Sequence, residues 1–291
     1  MSRKSLRERG AILVCFLLIS AFSIAPTVAQ DDANTGLYFT GELSTVSTFG
    51  NSEALTVGVG TTLGHLWENS ELKFEGGGVR TESSIKTRTA TGTLQSFAIQ
   101  EQKRTEKTAE AYYLRGRYDR NISANFFFFG GADWLRNTFA GIDSRTLLAA
   151  GAGNTWIETE TTRFKTDLGF TYTFQDDVFE NPLNKMNFPG VRLGYDLRST
   201  ISASTDFESN LVGDLNLDNT DDVRLNLVNA LSVSINSVLA LKPALKLQWQ
   251  NAPSSTQVPL LDNVGVATGE TVLTPLQKLD SIFTLSLVLK L

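Results

Sequence analysis

Cysteine and histidine are almost missing from this 291-residue chain: Cys15 is the only thiol and His65 the only imidazole. Cys15 lies inside an N-terminal apolar run, so the rest of the chain cannot form a disulfide and must be stabilised by packing or hydrogen bonding. One histidine and no further cysteine exclude a soft-metal site. They also leave the chain without a second copy of the side chain that most often serves as general base. An excess of basic charge is missing too. The 26 Lys and Arg face 31 Asp and Glu, for a formal net charge of −5, which argues against nucleic-acid binding. Beyond residue 29 there is no long apolar run, so membrane-spanning helices are not expected. Membrane-spanning strands are not excluded, because their signal is alternation rather than an unbroken oily stretch.

The two ends stand apart from the rest. Arg3, Lys4, Arg7 and Arg9 precede an apolar segment from Ala11 to about Ala25, and Thr27-Val28-Ala29 follows with a small residue before Gln30. This is the three-part pattern of a secretory signal peptide, with an apolar run too short to span a bilayer. The expected organisation is a cleaved signal at 1–29, a short lead at 30–36 and one domain at 37–291. At the other end, Phe283, Leu285, Leu287, Leu289 and Leu291 are apolar at every second position up to the last residue. Polar, frayed ends are the norm, so this one is expected to be paired.

Alternation is what the sequence has in abundance. In Arg163–Gln175, Phe164, Leu168, Phe170, Tyr172 and Phe174 share one parity and Arg163, Lys165, Asp167, Gly169, Thr171, Thr173 and Gln175 the other. Period 2 held this long means a strand with one oily and one polar face. The same reading gives about twelve strands, near 37–48, 53–65, 70–82, 107–119, 122–134, 144–157, 162–175, 189–200, 202–216, 222–235, 238–250 and 279–291. Phe126–Phe129 gives no clear parity. Connections near 67–69, 120–121, 158–161, 201 and 236–237 are short. Those near 83–106, 135–143, 176–188, 217–221 and 251–278 are longer, and Gly50-Asn51-Ser52 is a tight turn at that same end. Short turns gathered at one end and longer loops at the other are the plan of an up-and-down antiparallel transmembrane β-barrel of the outer membrane. The longest loops are expected to fold over its outer mouth. Aromatic side chains mark both ends: Trp67, Trp156, Phe39, Tyr118 and Phe164 at the short-turn side, and Trp134, Trp249, Phe174, Phe188 and Phe283 at the loop side.

These residues also resemble a family, the salt-induced outer-membrane proteins, long classed as a domain of unknown function. The resemblance runs from about Leu37 to Leu291. It rests on Gly50-Asn51-Ser52, on YLRGRYDR at Tyr113–Arg120, on Phe126–Gly153 with its aromatic run and Arg145, and on the closing strand. It implies an outer-membrane barrel tied to osmotic or salt stress and carries no activity or catalytic residues. Such barrels close on a terminal aromatic; Leu291 stands there instead, which implies less efficient recognition by the assembly machinery.

No constellation points to catalysis. His65 falls on the oily face near the short-turn end, and no carboxylate pair stands out. Asp176-Asp177 and Asp218–Asp222 lack the spacing of a calcium loop and read as solvated loop charges. Gly76-Gly77-Gly78 sits within a strand, where close packing explains it better than a phosphate cradle. The inward face is more informative. It carries Arg115, Arg117, Arg145, Arg163, Lys165, Asp167, Arg192, Asp196, Arg198, Asp206 and Glu208 as lumen-lining candidates. Lys73, Arg224, Lys242, Lys246, Glu42, Glu75, Asp119, Asp133 and Asp214 share that face, and Asp167 with Arg192 is an expected central pair. Both signs in similar number argue against strong ion selectivity. The interior is expected to be packed by paired side chains, with a narrow hydrated pore as the other reading.

The expectation is therefore a non-enzymatic outer-membrane barrel with no cofactor and no metal. Its partners are outer-membrane lipid and, during biogenesis, the barrel-assembly machinery, with small solutes as possible passengers and no nucleic acid. A porin-like small-solute channel, an outer-membrane enzyme and a secreted soluble β-sandwich are the alternatives.

Overall fold

The computed structural model describes residues 35–48, 53–93, 96–179, 186–263 and 265–290. The expected signal peptide, all but the last two residues of the lead, the Gly50-Asn51-Ser52 turn and Leu291 lie outside these residues. The strands are β1 (Gly36–Thr48), β2 (Glu53–Trp67), β3 (Ser70–Thr93), β4 (Ser96–Asn121), β5 (Phe126–Asn137), β6 (Ile142–Glu158), β7 (Thr162–Asp177), β8 (Asn187–Ser202), β9 (Thr205–Asn216), β10 (Val223–Ser234), β11 (Leu239–Gln250), β12 (Ser255–Leu261), β13 (Ala267–Pro275) and β14 (Leu279–Lys290). Twelve of them close a barrel in the order β1-β14-β11-β10-β9-β8-β7-β6-β5-β4-β3-β2, while β12 and β13 pair only with each other. Every barrel neighbour is antiparallel. The last strand meets the first through five residue pairs, Thr40↔Lys290 to Ser44↔Ser286. The β1–β2 ladder, by contrast, runs the whole length of β1.

The barrel is inside-out relative to a soluble protein. On β7, Phe170 is 74% exposed, whereas Thr171 retains 7% of its surface. Leu168, Tyr172 and Phe174 share the outer face with Phe170, and Thr173 is buried with Thr171. Alternation of this kind around a closed ladder puts apolar side chains outside and polar ones in the lumen, the distribution of a transmembrane barrel. The run Phe126–Phe129, unreadable from the sequence, divides by the same rule: Phe126 and Phe128 face out, and Phe127 and Phe129 are buried in the lumen.

Three expectations need correction. The segment 83–106 is not a loop. The β3–β4 ladder continues to Thr93↔Ser96, giving strands of 24 and 26 residues, where about 9–11 suffice to cross a bilayer. Its outer half lacks an oily face, so alternation cannot register it, yet polar pairs such as Ser84 with Thr105 (2.8 Å) sustain the ladder. The segment 251–278 contains the β12–β13 hairpin, which Pro253, Pro259 and Pro275 conceal in the sequence. Phe188 is not part of an aromatic belt. It shares the parity of Gly190 and Arg192, is 3% exposed, and lies in the lumen with the Arg224 guanidinium 4.9 Å from its ring centre. Trp67, Trp156, Tyr118, Phe174 and Phe283 are outward and exposed as the pattern requires.

Face assignment generates a first prediction. Arginine on the outer face near mid-height costs roughly 2–4 kcal/mol in lipid, whereas Thr62 borders free lumenal space. Phe170→Arg should therefore impair folding into lipid vesicles far more than Thr62→Arg, scored by heat-modifiable gel migration. Equal impairment would mean that the faces, or the bilayer, are wrongly assigned.

Candidate functional site

The lumen gathers polar side chains from distant parts of the sequence. At the short-turn end it opens as a cavity of about 440 Å³, bordered by Tyr38, Glu42, Glu75, Arg163, Arg198 and Lys242 among others. Lys242 of β11 reaches Glu42 of β1 at 2.8 Å and Glu208 of β9 at 3.4 Å. Tyr38 donates to Glu71 at 2.7 Å. Each bond ties strands that are not adjacent in the wall.

Beside this cavity, with Lys73 and Arg198 bordering both, lies a second polar cluster. Arg117 of β4 holds Asp119 at 2.6 Å and Asp167 of β7 at 2.8 Å, and Lys165 reaches Asp119 at 3.1 Å. The same two cations cover aromatic rings: Arg117 lies 4.1 Å from the Phe129 centroid and Lys165 lies 5.3 Å from that of Phe127. A cation over a ring face in a desolvated site is attracted by the ring quadrupole. Beneath the rings the wall has no side chains. A Cβ on Gly153 would stand 2.3 Å from Phe127, and one on Gly169 would stand 2.8 Å from Phe129, so glycine is what lets both rings lie flat against β6 and β7. Phe127, Phe129, Leu147 and Ala149 form a small apolar cluster there. Higher still, Arg192 of β8 bonds Asp214 of β9 and Asp133 of β5, each at 2.8 Å.

The outer mouth is closed by hydrogen bonds. Arg145 donates to Gln175 (2.6 Å), and Gln175 donates to Asp177 (2.7 Å). Asp177 also accepts from Ser254 (3.0 Å). Ser254 follows β11, and β11 is separated from β7 by β10, β9 and β8; the 251–278 connection therefore lies across the mouth, as expected. The 83–106 segment, by contrast, extends the wall. The fit at the mouth is close. Gly141 adopts φ +76, and a Cβ there would meet the Ser254 Cβ at 2.6 Å and Leu276 at 3.0 Å. On the other side, Asp222 holds Arg224 (3.2 Å) and accepts from Asn216 (3.2 Å) and Gln250 (3.3 Å). Asp177 and Asp222 are thus buried closure elements rather than solvated loop charges, because both continue the inward parity of their strands. Asp176, Asp218 and Asp221 remain exposed.

All eleven lumen candidates stand on the inward side of the wall. Arg115 lies opposite Glu75 and Asp133 in the ladders, Arg163 and Asp206 border the lower cavity, and Asp196 pairs with Arg198 at 3.4 Å. The expected Asp167–Arg192 pair does not form. Asp167 belongs to Arg117, and Arg192 to Asp133 and Asp214, because period 2 fixes the face of a residue but not its height in a tilted barrel. The sequence reading missed the lumenal Phe127, Phe129 and Phe188, the closing Ser254, and Tyr38 with Glu71. The parity of Tyr38 and Glu71 with Glu42 and Lys73 carried the signal.

Residues 41–259 match the family described as "Protein of unknown function, DUF481". The "Uncharacterized protein YdiY" of Escherichia coli (strain K12) is 26% identical over 148 residues, 51% of this chain and 56% of that protein. The matched stretch thus spans little more than half of that curated relative. Among solved structures, the NanC porin is similar at a TM-score of 0.44 and 7% identity, over 87% of this chain and 100% of that one. The translocator domain of the autotransporter NalP from Neisseria meningitidis is similar at 0.42 and 12% identity, over 89% of each chain.

The Arg192 knot generates a second prediction. Removing one partner of a buried ion pair strands the other, at a cost of about 3–5 kcal/mol, whereas replacing both with apolar residues is often near neutral. Arg192→Leu should lower the urea stability of the vesicle-folded protein more than Arg192→Leu combined with Asp214→Leu and Asp133→Leu. If the triple variant is the less stable, the knot is a net stabiliser and this account of it fails.

Proposed function

This chain belongs to the DUF481 family, and from that premise we propose that it is a non-enzymatic outer-membrane barrel with a closed or nearly closed lumen. Its role is envelope structure or slow, weakly selective passive permeation. The observation that carries this reading is the set of ion pairs that span the lumen, Lys242–Glu42, Arg117–Asp167 and Arg192–Asp133, with Phe127 and Phe129 packed against Lys165 and Arg117. An ion crossing the barrel has to break or bypass each of them. The closed ladder, apolar exterior and aromatic ends support the outer membrane as its location, reached through the signal peptide at 1–29, with membrane lipid and the assembly machinery as partners. The only histidine supports a non-catalytic role: His65 is stacked on Trp67 at a centroid distance of 4.2 Å, on the outer face. The resemblance to salt-induced barrels supports a role under salt or osmotic stress, a condition that weakens ion pairs in hydrated parts of the lumen by screening.

A second reading, a small-solute channel, is favoured by the cavity at the short-turn end, which would be its inner vestibule. Planar-bilayer recording separates the two. The unmodified protein should show small or absent conductance with little preference between cations and anions. Arg117→Ala combined with Asp167→Ala should raise conductance several-fold by removing one of these crossings. Large, steady openings without mutation would move the function to solute uptake, and recovery of the native protein in a soluble fraction, with no heat-dependent gel shift, would defeat the membrane reading itself.

A further inference from the structure

The segment that closes the outer mouth is bonded within itself. Its two legs are 251–254, leaving β11, and 276–278, entering β14. The Leu276 N–H donates to the Ser254 carbonyl (3.0 Å), and Lys278 Nζ donates to Asn251 Oδ1 (2.8 Å), so each leg holds the other. From there β12 and β13 continue as a hairpin that starts at Ser255↔Pro275 and shares no ladder with the wall. Past Thr256 most of the hairpin is exposed, whereas Ser254 and Ser255 at its foot are buried.

The two sides of this segment are held differently. On one side the backbone fastens it. The Gln250 N–H donates to the Lys278 carbonyl (2.8 Å), the Asn251 N–H to that of Val223 on β10 (2.9 Å), and Asn251 Nδ2 to that of Asp221 (3.0 Å). Since β11 and β14 are paired in the wall, both legs leave it at one place. On the far side, at β6 and β7, the hold is made by side chains. Ser254 Oγ donates to Asp177 Oδ1 at 3.0 Å, and Ser254 and Leu276 pack on Gly141, which has no Cβ to push them off. An element bonded within itself, fastened along one edge and caught at the other swings as one body when the catch lets go. We propose that 251–278 is a hinged flap, turning where β11 meets β14 and latched on Asp177, whose swing opens and shuts the loop end of the lumen. The swing is independent of whether the ion pairs within the bore let anything through.

EPR distance measurement on the barrel folded in lipid vesicles tests this, with spin labels at Gln257→Cys on the flap and Asp176→Cys on β7, both exposed positions. Cys15 is the only native thiol, so the described residues carry no competing one. The latched protein should give one dominant short distance. Ser254→Ala removes a hydrogen bond to a charged group, so the ratio of a longer distance to the short one should rise by about ten-fold or more. Gly141→Ala, which places a Cβ against Ser254, should act in the same direction. Labels at Gln257 and Leu273, which face each other across the hairpin, should stay together in both variants. Heat-modifiable migration verifies that each barrel is folded. If Ser254→Ala does not fold, Gly141→Ala decides by the same distances. A folded variant with an unmoved ratio would overturn the latch, and separation of Gln257 from Leu273 would overturn the flap as one body.

Discussion

Backbone N–H and C=O groups that face hydrocarbon have no water to bond, so a ladder of strands in lipid must run round to its own beginning. The pairing of β14 with β1 meets that demand, and much else in this molecule follows from it. Closure leaves each strand with two faces of different fate. The outer one must be apolar, which places Phe170, Leu193 and Phe283 in the open. Most charges that the strands carry lie on the other side, with Arg80 and Arg136 near the loop end as exceptions. A bore of twelve strands is narrow enough for long side chains to meet across it, and in so confined a space opposite charges have little choice but to pair. The ion pairs across the lumen are therefore a consequence of the closed wall.

The same constraint explains what could be read in advance. Period 2 is imposed by the wall, so the strand count, the short-turn end and the inward position of all eleven lumen candidates were legible from residue order. The outer half of β3 and β4 was not, since beyond the membrane no oily face is required and Ser, Thr, Lys and Glu occupy both sides of the ladder. The hairpin β12–β13 escaped notice because prolines break its pattern. Phe188 was misplaced because an aromatic near a strand end looks alike whether it meets a headgroup or, as here, a guanidinium in the bore.

Charge pairs show where legibility stops. Lys73–Glu75, Arg117–Asp119 and Arg198–Asp196 are two residues apart on one face, so alternation alone predicts that each pair lies side by side. Such contacts line the wall and leave the bore open. The contacts that cross it join residues far apart in the chain, as Lys242 does with Glu42, 200 positions away, and Arg192 with Asp133, 59 away. Their heights depend on strand tilt and on the stagger of the ladder around the barrel, which no single strand encodes. Assigning Asp167 to Arg192 failed for this reason.

The two kinds of pair also differ in what they do. A pair along one strand moves with that strand and constrains nothing else. A pair across the bore fixes the separation of two wall segments and blocks the space between them, so it is at once a brace and a plug. Arg117 serves in both ways, bonding Asp119 on its own strand and Asp167 on β7 while covering Phe129.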